Sequence, residues 1–251
     1  MSNVIAKMIR TLLGTDLWID QKSRQAFNLD TVLLADFVKI PARSKVVMDF
    51  GTGAGALILY MSKKTRAKII GIEIQEDRYL QAVRNITLNH LEHQLSCLHQ
   101  DVRTLDAMNI DVIISNPPFF KITEKGNVND NEDDTIARHE VMLSLYELVE
   151  SVAKTLKFGG HFFMIHRPER FAEIVQVFNQ FQLVIKRVRF VHPYLKSNPN
   201  HVLIEAIKNG QSGMKVEPPL ILYYEKHILT NELVDIYGGK SYVTQYTHQK
   251  R

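Results

Sequence analysis

Val46-Val-Met-Asp49-Phe50-Gly51-Thr-Gly-Ala-Gly55 decides the fold. A short apolar run ends in an acid, and glycines follow at alternate positions. Ala56-Leu-Ile-Leu-Tyr-Met61 then continues with a helical pattern. The stretch reads as a strand, a tight turn and a helix, and its glycines let the backbone turn sharply and approach a ligand closely. A dinucleotide-binding turn would carry G-x-G-x-x-G. Here the spacing is G-x-G-x-G, with Asp49 ahead of it. A carboxylate at that point repels a pyrophosphate and suits a ligand bearing an ammonium and a second positive centre.

Working outward, strand and helix patterns alternate. A strand over 68–72 ends at Glu73, and an amphipathic helix over 76–91 points Leu80, Val83 and Leu91 to a core. A third strand over 95–98 is closed by Asp101, and a fourth over 111–114 by Asn116. Repeated β-α units predict a parallel sheet with helices on both faces. A polar loop of about twenty residues follows, of the length that serves lids or disorder. A helix over 140–156 is expected to stop at Gly159-Gly160. Then come a strand over 161–166, a helix over 169–178, and an antiparallel pair, 182–191 and 202–208, closing the sheet. Upstream, a strand-like pair lies near 17–19 and 26–29, with a helix over 31–38. The partition is an N-terminal extension (1–40) contributing to the ligand pocket, one α/β domain (41–210) and a C-terminal extension (211–251).

In open α/β sheets ligands bind beyond the carboxyl ends of the strands. Asp49, Glu73, Asp101 and Asn116 mark four such ends in succession. S-adenosylmethionine has both the sulfonium and the ammonium that Asp49 favours. Gly51, Thr52, Gly53 and Gly55 would cradle it. Glu73 would accept from its ribose hydroxyls, and Asp101 from its adenine amino group, with Val102 against the ring. Asn116-Pro117-Pro118-Phe119 supplies the acceptor half. The Asn side-chain carbonyl and the next backbone carbonyl are fixed acceptors, and the prolines add no competing N–H. Phe119 offers a face for a flat group, so the four residues suit a planar exocyclic amine that needs no strong base.

The bulk numbers suit a globular enzyme. The chain has 251 residues, 45% hydrophobic, with formal charge +4. Residues 186–251 hold ten Lys/Arg against five Asp/Glu, which favours an anionic partner on that side. A single cysteine, Cys97, excludes a disulfide framework and a cysteine-rich metal site. Cys97 reads as packed and His161 as a sheet residue. No metal is expected, since no His/Asp/Glu cluster has ligand spacing. No signal peptide or membrane span is legible, so the expectation is a cytoplasmic protein with no membrane partner.

The series Asp49–Gly55, Glu73, Asp101 and Asn116–Phe119 resembles the class I S-adenosylmethionine-dependent methyltransferases that act on amines through an N-P-P-[YFW] motif. The resemblance spans about residues 25–208. It implies a Rossmann-like α/β fold with a seven-stranded, mostly parallel sheet and an antiparallel last strand. Phe27-Asn-Leu-Asp-Thr-Val-Leu-Leu-Ala35 is similar to a segment of the small bacterial enzymes that methylate adenine N6 in a valine tRNA beside the anticodon. In that family it lines the cofactor pocket, which implies roles for Phe27 and Asp30, and for Ile74 beside Glu73. Ala137-Arg-His-Glu140, His166-Arg-Pro-Glu-Arg170 and Asn198-Pro-Asn-His-Val-Leu-Ile-Glu205 resemble it too.

The partner implied is tRNA. Arg138, His139, Arg167 and Arg170, with Lys186, Arg187 and Arg189, are candidates to neutralise phosphates around a flipped base. Guanine N2 and a protein glutamine are the alternative targets. The glutamine methylases carry an extra N-terminal helical domain, and the guanine enzymes usually a duplicated second one; neither fits this length. An inactive RNA-binding module is the non-enzymatic alternative.

Overall fold

The computed structural model describes residues 8–21, 29–117 and 143–239. Two short strands open it, β1 (Met8–Thr11) and β2 (Trp18–Gln21), paired antiparallel. Helix α1 (Leu29–Phe37) leads into β3 (Val46–Phe50), α2 (Ala56–Ser62), β4 (Lys68–Glu73), α3 (Glu76–Leu88), β5 (Leu95–His99) and β6 (Ile110–Ser115). Then follow α4 (Leu145–Thr155), β7 (Leu156–His166), α5 (Phe171–Gln180), β8 (Leu183–His192) and β9 (His201–Lys208). The remainder is β10 (Lys215–Val216), β11 (Leu220–Ile221), β12 (Tyr223–Glu225), β13 (Ile228–Leu229) and α6 (Asn231–Ile236).

Strands β5, β4, β3, β6 and β7 lie side by side, all parallel. Strand β9 pairs antiparallel with β7 on one side and β8 on the other. These seven strands are the sheet that the family resemblance implied, with the last antiparallel. The pair β8–β9 forms as expected, but β9 is not at the edge; it is wedged between β7 and β8. The outer edge of β8 is covered by β10 and β11, both parallel to it.

Central strands buried on both faces need apolar side chains throughout. Val47, Met48 and Phe50 of β3 and Val112, Ile113 and Ile114 of β6 are all buried. Their alternate side chains feed two cores, one on each face. Val47, Val112 and Ile114 pack with α1 and α2, while Met48, Phe50 and Ile113 pack with α4 and α5. Asp111 anchors the start of the sheet: its carboxylate accepts from the N–H groups of Lys45 and Val46 at 2.7 and 2.9 Å and pairs with Lys157.

Several boundaries differ from expectation. The partner of the strand near Leu17–Ile19 is 8–11, not 26–29, because Leu29 already begins α1. Helix α3 ends at Leu88, and Leu80 is exposed; its buried face is Gln81, Ala82, Asn85 and Ile86. The face is polar because the β1–β2 hairpin docks there and its backbone needs partners. Asn85 accepts from Asp20 N at 2.7 Å, and Gln81 Nε2 donates to Asp20 O at 2.8 Å. Helix α4 begins after Ser144, whose hydroxyl and backbone form a capping box with Glu147. It ends before the two glycines, since β7 starts at Leu156 and Gly159-Gly160 lie within it at a register shift against β6. Among the described residues, no helix is long and apolar enough to cross a membrane.

Candidate active site

The turn after β3 is held in a shape that only glycines adopt readily. Gly51, Gly53 and Gly55 all have positive φ, at 77°, 58° and 84°. A side chain added at Gly51 would meet nothing within 4 Å, so the turn leaves open space beside it. Gly51 N and Thr52 N both donate to Ile72 O, at 2.9 and 3.0 Å, tying the turn to β4. Asn85, fully buried on α3, donates to Ala54 O at 2.8 Å and to Asp20 O at 3.1 Å. It therefore clamps the glycine turn to the N-terminal hairpin.

Glu73, the last residue of β4, is buried. Its Oε2 accepts from Gly53 N at 2.8 Å and its Oε1 from Gln75 N at 2.9 Å. Asp49 is buried too, and its Oδ2 has no hydrogen-bond partner among the described residues; neither has Thr52 Oγ1. Burial pushes the Asp49 carboxyl up to about 7, and the charge of Glu73 adds to the rise. An orphaned acid beside an open glycine turn is a site short of a cation. That fits the sulfonium and ammonium of S-adenosylmethionine, so the residues present suit that group.

Asp101 lies two residues past β5 and caps a single helical turn. Its carboxylate accepts from Arg103 N at 2.9 Å and is gripped by the Arg103 guanidinium at 2.6 and 2.8 Å. Burial would raise its pKa, but Arg103 outweighs that and holds it below the usual range. Asp101 is thus an ionised acceptor already engaged from one side. Val102 is buried in the core and Ile74 is exposed just beyond Glu73.

Asn116 follows β6 directly, at the middle of the carboxyl edge. Its Nδ2 donates to the Thr31 hydroxyl at 3.2 Å, which orients the amide with Oδ1 as the remaining acceptor. Pro117 is buried behind it. Thr31 sits on α1, so the N-terminal extension reaches the acceptor. Asp30, expected at the cofactor, is buried against β9 instead, with Oδ1 2.9 Å from His201 Nε2. The phosphate candidates separate. Arg167 donates to Asn200 O at 2.9 Å, at the carboxyl edge. Arg170 is tied to Glu173. Arg187 is buried, bonded to Glu205 and Phe37 O, and stacked over the Phe37 ring at 3.7 Å. Lys186 binds three carbonyls over 211–213, and Arg189 pairs with Glu232. Those last three are already engaged by partners within the fold. Phe27, Pro118, Phe119, Arg138 and His139 lie outside the described residues.

Thr31, Gln81 and Asn85 were not singled out from sequence. The signal for the last two was present: polar residues four apart, on the same helical stripe as Ala82 and Ile86. Cys97 is partly buried, with its thiol pushed up to about 12 by burial and by Asp49 and Glu73. His161 bonds Glu205 at 2.9 Å and stacks on Phe163 inside the sheet. Among the described residues no group of three or more His, Cys, Asp or Glu could hold a metal ion.

The chain is similar to several known proteins. A tRNA1(Val) (adenine(37)-N6)-methyltransferase of Flavobacterium johnsoniae is 27% identical over 219 residues, 86% of this chain and 92% of that protein. One of the same name from Pseudoalteromonas translucida is 28% identical over 180 residues, 71% of this chain and 74% of that protein. In structure, a predicted O-methyltransferase from Agrobacterium tumefaciens superposes with a TM-score of 0.67 at 19% identity, covering 84% of this chain and 97% of that one; at that identity the likeness concerns the fold. The family described as "Methyltransferase small domain" matches residues 23–191, two-thirds of the sequence, which takes in Asp49, Glu73, Asp101 and Asn116. The chain belongs to the methyltransferase small domain family.

Proposed function

We propose that this protein transfers a methyl group from S-adenosylmethionine to the exocyclic N6 of an adenine in tRNA, in the anticodon loop of a valine tRNA. The observation that carries the reading is Asn116, an amide oriented by Thr31 at the end of β6, beside the donor turn. The names of relatives that match most of the chain support the substrate. A cytoplasmic location goes with that role.

S-adenosylmethionine, when bound, supplies a methyl group activated by a sulfonium. Asp49 would meet its ammonium, and in doing so gain the partner that its carboxylate lacks. Glu73, held by two backbone N–H groups, would present its remaining lone pairs to the ribose. Asn116 Oδ1 would accept one amine N–H and the carbonyl of Pro117 the other. The amine is then aimed at the methyl carbon, and the residues act by orientation, which is worth many powers of ten in rate. The adenine has to leave its stack to reach this edge.

The test is methylation of tRNA from cells lacking the gene, with labelled donor and nucleoside identification. Label in N6-methyladenosine is expected; label only in methylguanosine or in protein would overturn the reading. Asn116→Ala should keep donor binding and lose transfer by about 100-fold or more, the scale for removing one preorganised polar contact in an active site.

A further inference from the structure

We infer that the tips of the β8–β9 and β12–β13 hairpins form the platform that grips the RNA around the target base; the inference rests on the proposed function. The donor residues stand over β3, β4 and β5, and the acceptor Asn116 stands after β6. For a nucleotide chain whose base enters at Asn116, β7, β9 and β8 are the strands on the side away from the donor. Strand β8 runs parallel to β7, so its end at His192 lies on the same carboxyl edge. The turn over 193–200 projects from that edge. Strand β11 runs parallel to β8, and the chain continues past it as Leu222 N donates to His192 O and Tyr223 N to Pro193 O, both at 2.9 Å. The β12–β13 hairpin is thereby fixed beside the first tip.

The two tips carry the chemistry that recognises unpaired nucleotides. The rings of Tyr194 and Tyr223 meet with centroids 5.8 Å apart, and Tyr224, next in the same strand, is 60% exposed. Lys196 and Lys226 are exposed at the turns, against one exposed acid, Glu225. Arg167, at the end of β7, bonds Asn200 at the base of the first tip. Aromatic faces stack on splayed bases and cations follow the phosphates. Such a surface suits a single-stranded loop better than a duplex, whose bases present no faces.

The experiment uses the full chain, a tRNA transcript and two double variants, Tyr194→Ala/Tyr224→Ala and Lys196→Gln/Lys226→Gln. The tyrosine variant should weaken tRNA binding about 10-fold or more, with Tyr→Phe restoring it. The lysine variant, changed only at exposed positions, should weaken binding and flatten the slope of log K against log salt by about 1.4, or 0.7 per lost phosphate contact. Affinity for S-adenosylmethionine and melting temperature should stay as in the wild type. Wild-type tRNA affinity and salt slope in both variants would overturn the platform, even if a protein partner were lost. The functional reading fails separately, if the unmodified protein methylates no tRNA.

Discussion

Asp49 should make the stability of the ligand-free protein fall as pH rises. Its carboxyl is pushed from 3.8 to about 7 by burial, reinforced by the charge of Glu73. Between those values the folded state holds a proton that the unfolded state has released. The slope of unfolding free energy with pH is then negative, at about 1.4 kcal/mol per unit. Stability from this group is complete below the unfolded pKa and lost as pH passes the folded one. The whole span amounts to about 4 kcal/mol, of which about 2 kcal/mol falls between about pH 5.5 and 8.5. Asp49→Asn keeps the shape and removes the titration. Other carboxylates held below their usual range, such as Asp111 and Glu205, lose stability only in stronger acid. The difference between wild type and Asp49→Asn isolates the effect. Denaturant titrations at the two pH values should show that difference shifting by about 2 kcal/mol, or roughly 4–8 °C in melting temperature for a domain of this size. Affinity for S-adenosylmethionine should rise with pH over the same interval in wild type and stay flat in the variant. If the stabilities of the two proteins run parallel from about pH 5.5 to 8.5, the buried acid is not linked to folding in this way.

Two further outcomes concern the support of the site. A methyl group at Gly71 of β4 would lie 2.7–2.9 Å from the Thr52 side chain, so Gly71→Ala should cost about 1–3 kcal/mol by overpacking and displace the glycine turn; calorimetry should find weakened donor binding, and unchanged melting and affinity would disprove the contact. Thr31→Val should lower kcat about 10-fold by releasing the Asn116 amide, on the scale of a lost hydrogen bond, with Thr31→Ser restoring it; an equal loss in both would mean that the hydroxyl is not what orients the amide.

The glycine turn and the acids at the strand ends were legible because they are local. Asp49, the glycines and Glu73 sit at strand ends whose apolar runs and turns are written in consecutive residues. That β3 to β7 would lie parallel followed from the alternation of strand and helix. What escaped the sequence depends on distant partners. Nothing in α3 announces that its buried stripe serves the backbone of a hairpin 61 to 65 residues away. Arg187 looked like a phosphate ligand by charge, yet its guanidinium reaches Phe37 O, 150 residues earlier in sequence, and lies buried. Asp30 likewise found His201. The insertion of β9 between β7 and β8 is a matter of topology, which two adjacent strand patterns do not encode.

The double grip on Glu73 has a thermodynamic consequence for its ligand. One carboxylate accepts from the glycine turn and from the turn after β4, so both loops are tied to the same side chain. Ligands that must organise their own site lose part of their intrinsic affinity to that ordering; preorganised sites keep it. A donor bound at Glu73, as proposed, would therefore find its pocket already set, the cost of rigidity having been met when the chain folded. Changes far from the pocket that leave Glu73 in place should leave donor affinity in place as well.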